Sequence, residues 1–127
     1  MRERKRRTYI MKKILVCDDE EGIRESLKLI LEKDYEVIFA ENGDIAIQKL
    51  KSAPADLVIL DIKMPRRDGL DTLREIKKLN PATKVVIATG YRSVDTANEA
   101  VKLGATDYII KPFDRKQVLA TARKNLD

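Results

Sequence analysis

Asp56-Leu57-Val58-Ile59-Leu60-Asp61-Ile62-Lys63-Met64-Pro65 is the stretch whose reading decides the fold. Four apolar residues in a row, led by Asp56 and closed by Lys63 and Pro65, read as a short strand buried on both faces, as in a parallel sheet. Asp61 stands where that strand runs out. In open parallel sheets the functional crevice lies beyond the carboxyl ends of the strands, so an acid at that end is placed for chemistry. Taken alone, it could equally be a solvated turn former.

Working outward from this strand, the same pattern recurs on both sides. Lys12 to Cys17 is a short apolar run that ends in Asp18-Asp19-Glu20-Glu21-Gly22, acids suited to a helix start because they satisfy free amides and complement the dipole. Ile23, Leu27, Ile30 and Leu31 then recur at helical spacing. Tyr35 to Ala40 reads as a second strand, Asn42-Gly43-Asp44 as a turn opening a helix through Ile45, Ala46, Ile47 and Leu50, and Pro54 as its stop. Beyond Pro65 comes Asp68-Gly69, then Leu70, Leu73, Ile76 and Leu79 on one helix, stopped by Asn80-Pro81. Lys84 to Ala88 is a fourth strand ending in Thr89-Gly90. A less apolar helix follows from a cap at Ser93 through Val94, Ala97, Ala100, Val101 and Leu103 to Gly104. Asp107 to Ile110 is a fifth strand ending at Lys111-Pro112, and a last helix starts near Asp114 and uses Val118, Leu119, Ala122 and Leu126. Regular alternation of strands and helices implies an α/β domain with a parallel sheet covered by helices on both faces.

At 127 residues the chain is long enough for one core and too short for two. Its 43% hydrophobic content suffices for folding despite 37% charged residues. The net charge of +5 is concentrated in residues 1–10, where five basic residues against Glu3 account for +4. The rest is nearly neutral and shows no stripe that demands a nucleic-acid backbone. Residues 1–10 are expected to be a disordered basic extension, with Met11-Lys12-Lys13 as a natural start and a single domain over 11–127. No apolar run follows the basic residues, so they do not form a secretory signal. No run is long enough to cross a membrane, and a cytoplasmic location is expected. The lone Cys17 rules out a disulfide framework and is read as a small buried hydrophobe. The chain contains no histidine, which excludes histidine triads and histidine-ligated metals within it.

Side-by-side strands would gather Asp18, Asp19, Asp61, Thr89 and Lys111 at their carboxyl ends. Carboxylates 4 Å apart repel by roughly 4 kcal/mol per pair at an effective dielectric near 20. An all-oxygen, carboxylate-rich site of this kind suits magnesium, Mg2+. A carboxylate can also attack a phosphoryl group and become an acyl phosphate, provided that cations and donors neutralise the equatorial oxygens.

These motifs resemble the receiver domain of two-component response regulators. Asp-Asp-Glu follows strand one, Asp61-x-x-Met-Pro-x-x-Asp-Gly follows strand three, Thr89-Gly90 follows strand four and Lys111-Pro112-Phe113 follows strand five, in the order and spacing of that family over about residues 12 to 126. The resemblance implies a (βα)5 flavodoxin-like fold with strand order 2-1-3-4-5. It also implies that Asp61 is the phosphoacceptor, that Asp18, Asp19 and Asp61 hold magnesium with the backbone carbonyl of Lys63, that Thr89 and Lys111 meet the phosphoryl group, and that Thr89 and Tyr108 form the switch. Lys63 and Tyr91 would tune phosphoryl lifetime, and the Lys111–Pro112 bond would be cis. Tyr108 has a plainer reading as core. The partners implied are a sensor histidine kinase or phosphotransfer protein, and an output partner, effector domain or second copy at the face of the fourth helix, fifth strand and fifth helix. Neither nucleic acid nor membrane is expected to bind directly. The protein would be a self-phosphorylating acceptor rather than an enzyme. The last helix ends without a Gly or Pro stop, which leans toward a piece of a longer regulator.

Two other readings compete with this one. A haloacid-dehalogenase-like phosphatase also uses a strand-end aspartate, but it would need a second acid where Lys63 stands and would carry its nucleophile on the first strand. A phosphorylation-independent interaction module on the same fold needs none of the strand-end residues, all of which are present. The five glycines are isolated, so no nucleotide-binding fingerprint exists.

Overall fold

Consecutive residues of each strand face opposite sides, so a strand covered on both faces must be apolar throughout its length. In the computed structural model the strand Leu57–Leu60 meets this in full. The structure describes residues 11–62, 69–90 and 94–127. β1 (Lys13–Cys17), β2 (Glu36–Ala40), β3 (Leu57–Leu60), β4 (Lys84–Thr89) and β5 (Asp107–Ile110) form one parallel sheet in the order β2-β1-β3-β4-β5. α1 (Glu21–Leu31), α2 (Gly43–Ser52), α3 (Gly69–Leu79), α4 (Val94–Lys102) and α5 (Arg115–Leu126) alternate with the strands. The central strand β3 is buried at all four positions. Leu57 and Ile59 enter the layer with Leu27 and Leu31 of α1 and Val118, Ala122 and Leu126 of α5. Val58 and Leu60 enter the other layer, with Ala46 and Ile47 of α2, Leu73 and Ile76 of α3 and Ala100 of α4.

Local chemistry sets the helix starts. Asn42 and Asp114 precede α2 and α5 in extended conformation, and their side chains accept from the amides of Ile45 and Gln117 at 2.9 and 2.7 Å. Glu20 precedes α1 without such a side-chain bond, and its own amide donates instead to Asp18 Oδ1 at 2.9 Å. α3 begins against β3: a Cβ on Gly69 would lie 2.2 Å from Ile62 Cα, so no larger residue fits there without moving the backbone. After α4 the chain reverses at Gly104, whose φ of 109° favours glycine. The expected inward stripe of α4 is only partly realised, with Ala100 buried but Val101 63% exposed. Adjacent helical residues point about 100° apart, so one slim helix cannot bury both. The expected cap Ser93, and residues 1–10, lie outside the described residues. Among the described residues, no helix is long and apolar enough to cross a membrane.

The order of strands fixes where a crevice opens. From β1 the chain moves to β2 on one side and then crosses to β3 on the other, so the connections leaving β1 and β3 diverge. The residues that follow Cys17 and Leu60 line that gap.

Candidate functional site

The residues at the strand ends are placed by hydrogen bonds that continue the ladders one step past the strands. Asp18 N–H donates to Ala40 O at 3.1 Å, Asp61 N–H to Cys17 O at 3.0 Å and Lys111 N–H to Thr89 O at 2.9 Å. The backbone under three site side chains is therefore part of the sheet, more rigid than a loop. Asp18, Asp61 and Thr89 are all buried, while Asp19 is exposed.

Lys111 ties these ends together. Its Nζ lies 2.8 Å from Asp18 Oδ2 and 3.2 Å from Asp61 Oδ2, and 3.6 Å from the exposed Glu20 Oε1. Asp18 is engaged on both oxygens, since Oδ1 takes the Glu20 amide and Oδ2 the ammonium, and each keeps a lone pair free. Burial raises the Asp18 carboxyl above its ordinary range, and the Asp61 charge adds to the effect, while Lys111 and the Glu20 amide oppose it. Burial pulls Lys111 down, but the hydrogen bond and charge of Asp18 and the charge of Asp61 outweigh it and raise the ammonium above the usual lysine range. The Lys111 shift is that of a cation held in a negative potential, whereas the Asp18 shift is first of all that of a carboxyl taken out of water. The Cys17 thiol responds likewise, pushed up to about 12 by burial and then by Asp18 and Asp61, which leaves it an inert core group.

Asp18, Asp19 and Asp61 each offer a carboxylate oxygen, and these atoms lie within 4.8 Å of one another. Octahedral magnesium with ligands at about 2.0–2.1 Å spans about 4.2 Å between opposite oxygens, so small side-chain rotations would close the set around it. The donors are all oxygen and carry surplus negative charge, and the residues fit a hard divalent cation.

Thr89 ends β4 opposite Ile110, beside Lys111 in the ladder. Tyr108 pairs with Ile87 and is half-buried against the core layer of α2, α3 and α4. The Lys111–Pro112 peptide bond is cis. Lys63 and Tyr91 lie outside the described residues. Arg24, not singled out from the sequence, also reaches the site, where its Nη1 donates to the Asp18 carbonyl at 2.8 Å. The one sequence hint for it is weak, a cation near the start of a helix, where the dipole mildly disfavours positive charge.

Comparison with known proteins agrees with this geometry. The family model of the response regulator receiver domain matches residues 14–123. The transcriptional regulatory protein ZraR of Escherichia coli (strain K12) is 45% identical over 114 residues, 89% of this chain but 26% of that protein. The chain thus spans about a quarter of the length of that relative. The chemotaxis protein CheY of Thermotoga maritima is 37% identical over 89% of this chain and 96% of its own length. Among solved structures, a CheY-like response regulator receiver domain protein from Methanospirillum hungatei superposes with a TM-score of 0.90 at 34% identity, covering 93% of this chain and 95% of that one. With the fold, the acidic crevice and these matches in agreement over nearly the whole of the chain, it belongs to the response regulator receiver domains of two-component signalling.

Proposed function

We propose that Asp61 accepts a phosphoryl group from a partner histidine kinase or phosphotransfer protein in a magnesium-dependent step, and that the acyl phosphate shifts the domain between two states read at the α4-β5-α5 surface. The observation that carries this reading is one ammonium on two buried carboxylates, Lys111 Nζ at 2.8 Å from Asp18 and 3.2 Å from Asp61, in a crevice that retains negative charge.

Asp18, Asp19 and Asp61 would hold the cation with the carbonyl of Lys63, and the bound magnesium supplies positive charge against the phosphoryl oxygens. An Asp61 carboxylate oxygen attacks phosphorus in line with the bond to the partner's imidazole. As the new O–P bond forms, the N–P bond breaks, and the imidazole leaves with the electron pair and takes up a proton. Lys111 exchanges part of its contact with Asp61 for a phosphoryl oxygen, and the Thr89 hydroxyl donates to another, so the charge that develops meets groups already in place. Water can later cleave the acyl phosphate, and Lys63 and Tyr91 would set the lifetime by crowding its approach. The pull on Thr89 would change the packing available to Tyr108 and bias the surface of α4, β5 and α5 toward one partner or a second copy.

Intact-mass spectrometry after incubation with magnesium and acetyl phosphate tests the acceptance step. One phosphoryl group should add, and none should add with chelator or in Asp61→Asn. A wild-type protein that gains no mass under any condition would overturn the proposal in favour of a phosphorylation-independent interaction module.

A further inference from the structure

The acidic pair is not held by packing alone. Four contacts pin the three successive peptide units around it. Asp61 N–H donates to Cys17 O, and Asp18 N–H to Ala40 O, which fixes the unit entering Asp18. The Arg24 guanidinium donates to Asp18 O, which fixes the unit between Asp18 and Asp19. Asp18 Oδ1 accepts from Glu20 N–H, which fixes the unit leaving Asp19. Of these four, only the Arg24 contact relies on a long side chain from outside the strand ends. That side chain is itself held on a second side, with its guanidinium 5.9 Å from the centroid of the Phe39 ring in β2.

We propose that Arg24 is a positioning residue for the divalent-cation site. By fixing the Asp18–Asp19 peptide between α1 and Phe39, it sets where the exposed Asp19 carboxylate stands relative to the buried Asp18 and Asp61. Asp18 has two side-chain bonds and a buried setting to hold it, whereas Asp19 is exposed and depends on its backbone. Arg24 also stands in the first turn of α1, against the helix dipole, a place that the contact with the Asp18 carbonyl explains. This inference rests on the magnesium reading above.

The sign of the effect separates positioning from charge. A guanidinium near a cation site repels the cation, so removing it would tighten magnesium binding if charge were its only influence. Positioning requires the opposite. Magnesium chloride titrations followed by backbone amide shifts should show about tenfold weaker binding in Arg24→Ala, the scale of losing a group that orients a metal ligand. Arg24→Lys keeps the charge and a donor but loses the planar fork, and should fall between the two. Phosphoryl transfer from acetyl phosphate should show the same split, with the loss largely regained at high magnesium, while thermal unfolding without magnesium checks that each variant is folded. Unchanged or tighter binding in Arg24→Ala would overturn the inference. A wild-type chain that binds no magnesium would instead overturn the metal reading beneath it.

Discussion

Lys111 meets three acids, but the contacts do not carry equal weight. Glu20 is 64% exposed at its side chain and screened by water, whereas Asp18 and Asp61 are buried, so the ammonium acts chiefly on those two. Lys111→Ala should therefore slow phosphoryl acceptance by about 100-fold, the scale of losing one preorganised donor to a developing oxyanion. Stopped-flow transfer from acetyl phosphate measures it. The pH dependence follows from the directions of the shifts. Lys111 has a folded pKa above its ordinary 10.5, so its stabilising contribution is fully present below that value and is lost as pH rises through the folded pKa. Asp18 has a folded pKa above 3.8, so the folded state binds the proton more tightly and gains stability as pH falls through the raised value. Urea titrations without divalent cation should show that gain in the wild type, and Asp18→Asn should flatten it. Asp18, Asp61, Thr89 and Lys111 were legible because strand ends are legible and each stands one step from an apolar run. Arg24 was not, because its role depends on a side chain reaching back to a carbonyl six residues earlier.

At the scale of elements, the site depends on how closely α3 approaches β3. A methyl at Gly69 would lie 2.2 Å from Ile62 Cα and 2.9 Å from the Asp61 carbonyl, so it must push the helix start away from the residue next to Asp61. Gly69→Ala should destabilise the domain by about 1–3 kcal/mol, the range of overpacked sites, as measured by urea unfolding, and should slow transfer at Asp61 as well. Asn42→Ala and Asp114→Ala each remove a cap and should lower stability by about 1 kcal/mol without altering transfer. Element boundaries were largely visible in the sequence: β3 begins and ends where its apolar run does, β5 spans the expected Asp107–Ile110, and Asn42 and Asp114 stand where capping chemistry puts them. The helix faces were less so. Leu79 completes a helical stripe yet is 40% exposed because it is the last residue of α3, beyond the cover of the sheet. Val101 sits beside the buried Ala100, and only the three-dimensional packing decides which of the two faces inward.

For the whole molecule, the strand order was the part that local pattern could not supply. β1, β3 and β4 are all short apolar runs, and nothing in their residues says that β1 pairs with both β2 and β3; that is set by long-range packing and was carried by family resemblance. The order matters because it opens the crevice between β1 and β3, where three acids accumulate. Such a crevice should couple cation binding to folding. Magnesium at 100 times its dissociation constant should stabilise the domain by about 2.7 kcal/mol, and Asp19→Asn should remove most of that gain in calorimetric melts. The central claim, that the acceptor is Asp61, is tested most directly by trapping the acyl phosphate with borohydride after incubation with acetyl phosphate and magnesium, then mapping peptides. Hydride reduction converts a phosphorylated aspartate to homoserine. Homoserine at position 61 alone is the expected result; homoserine at 18 or 19, or a phosphoryl group that survives reduction on a hydroxyl side chain, would contradict the account.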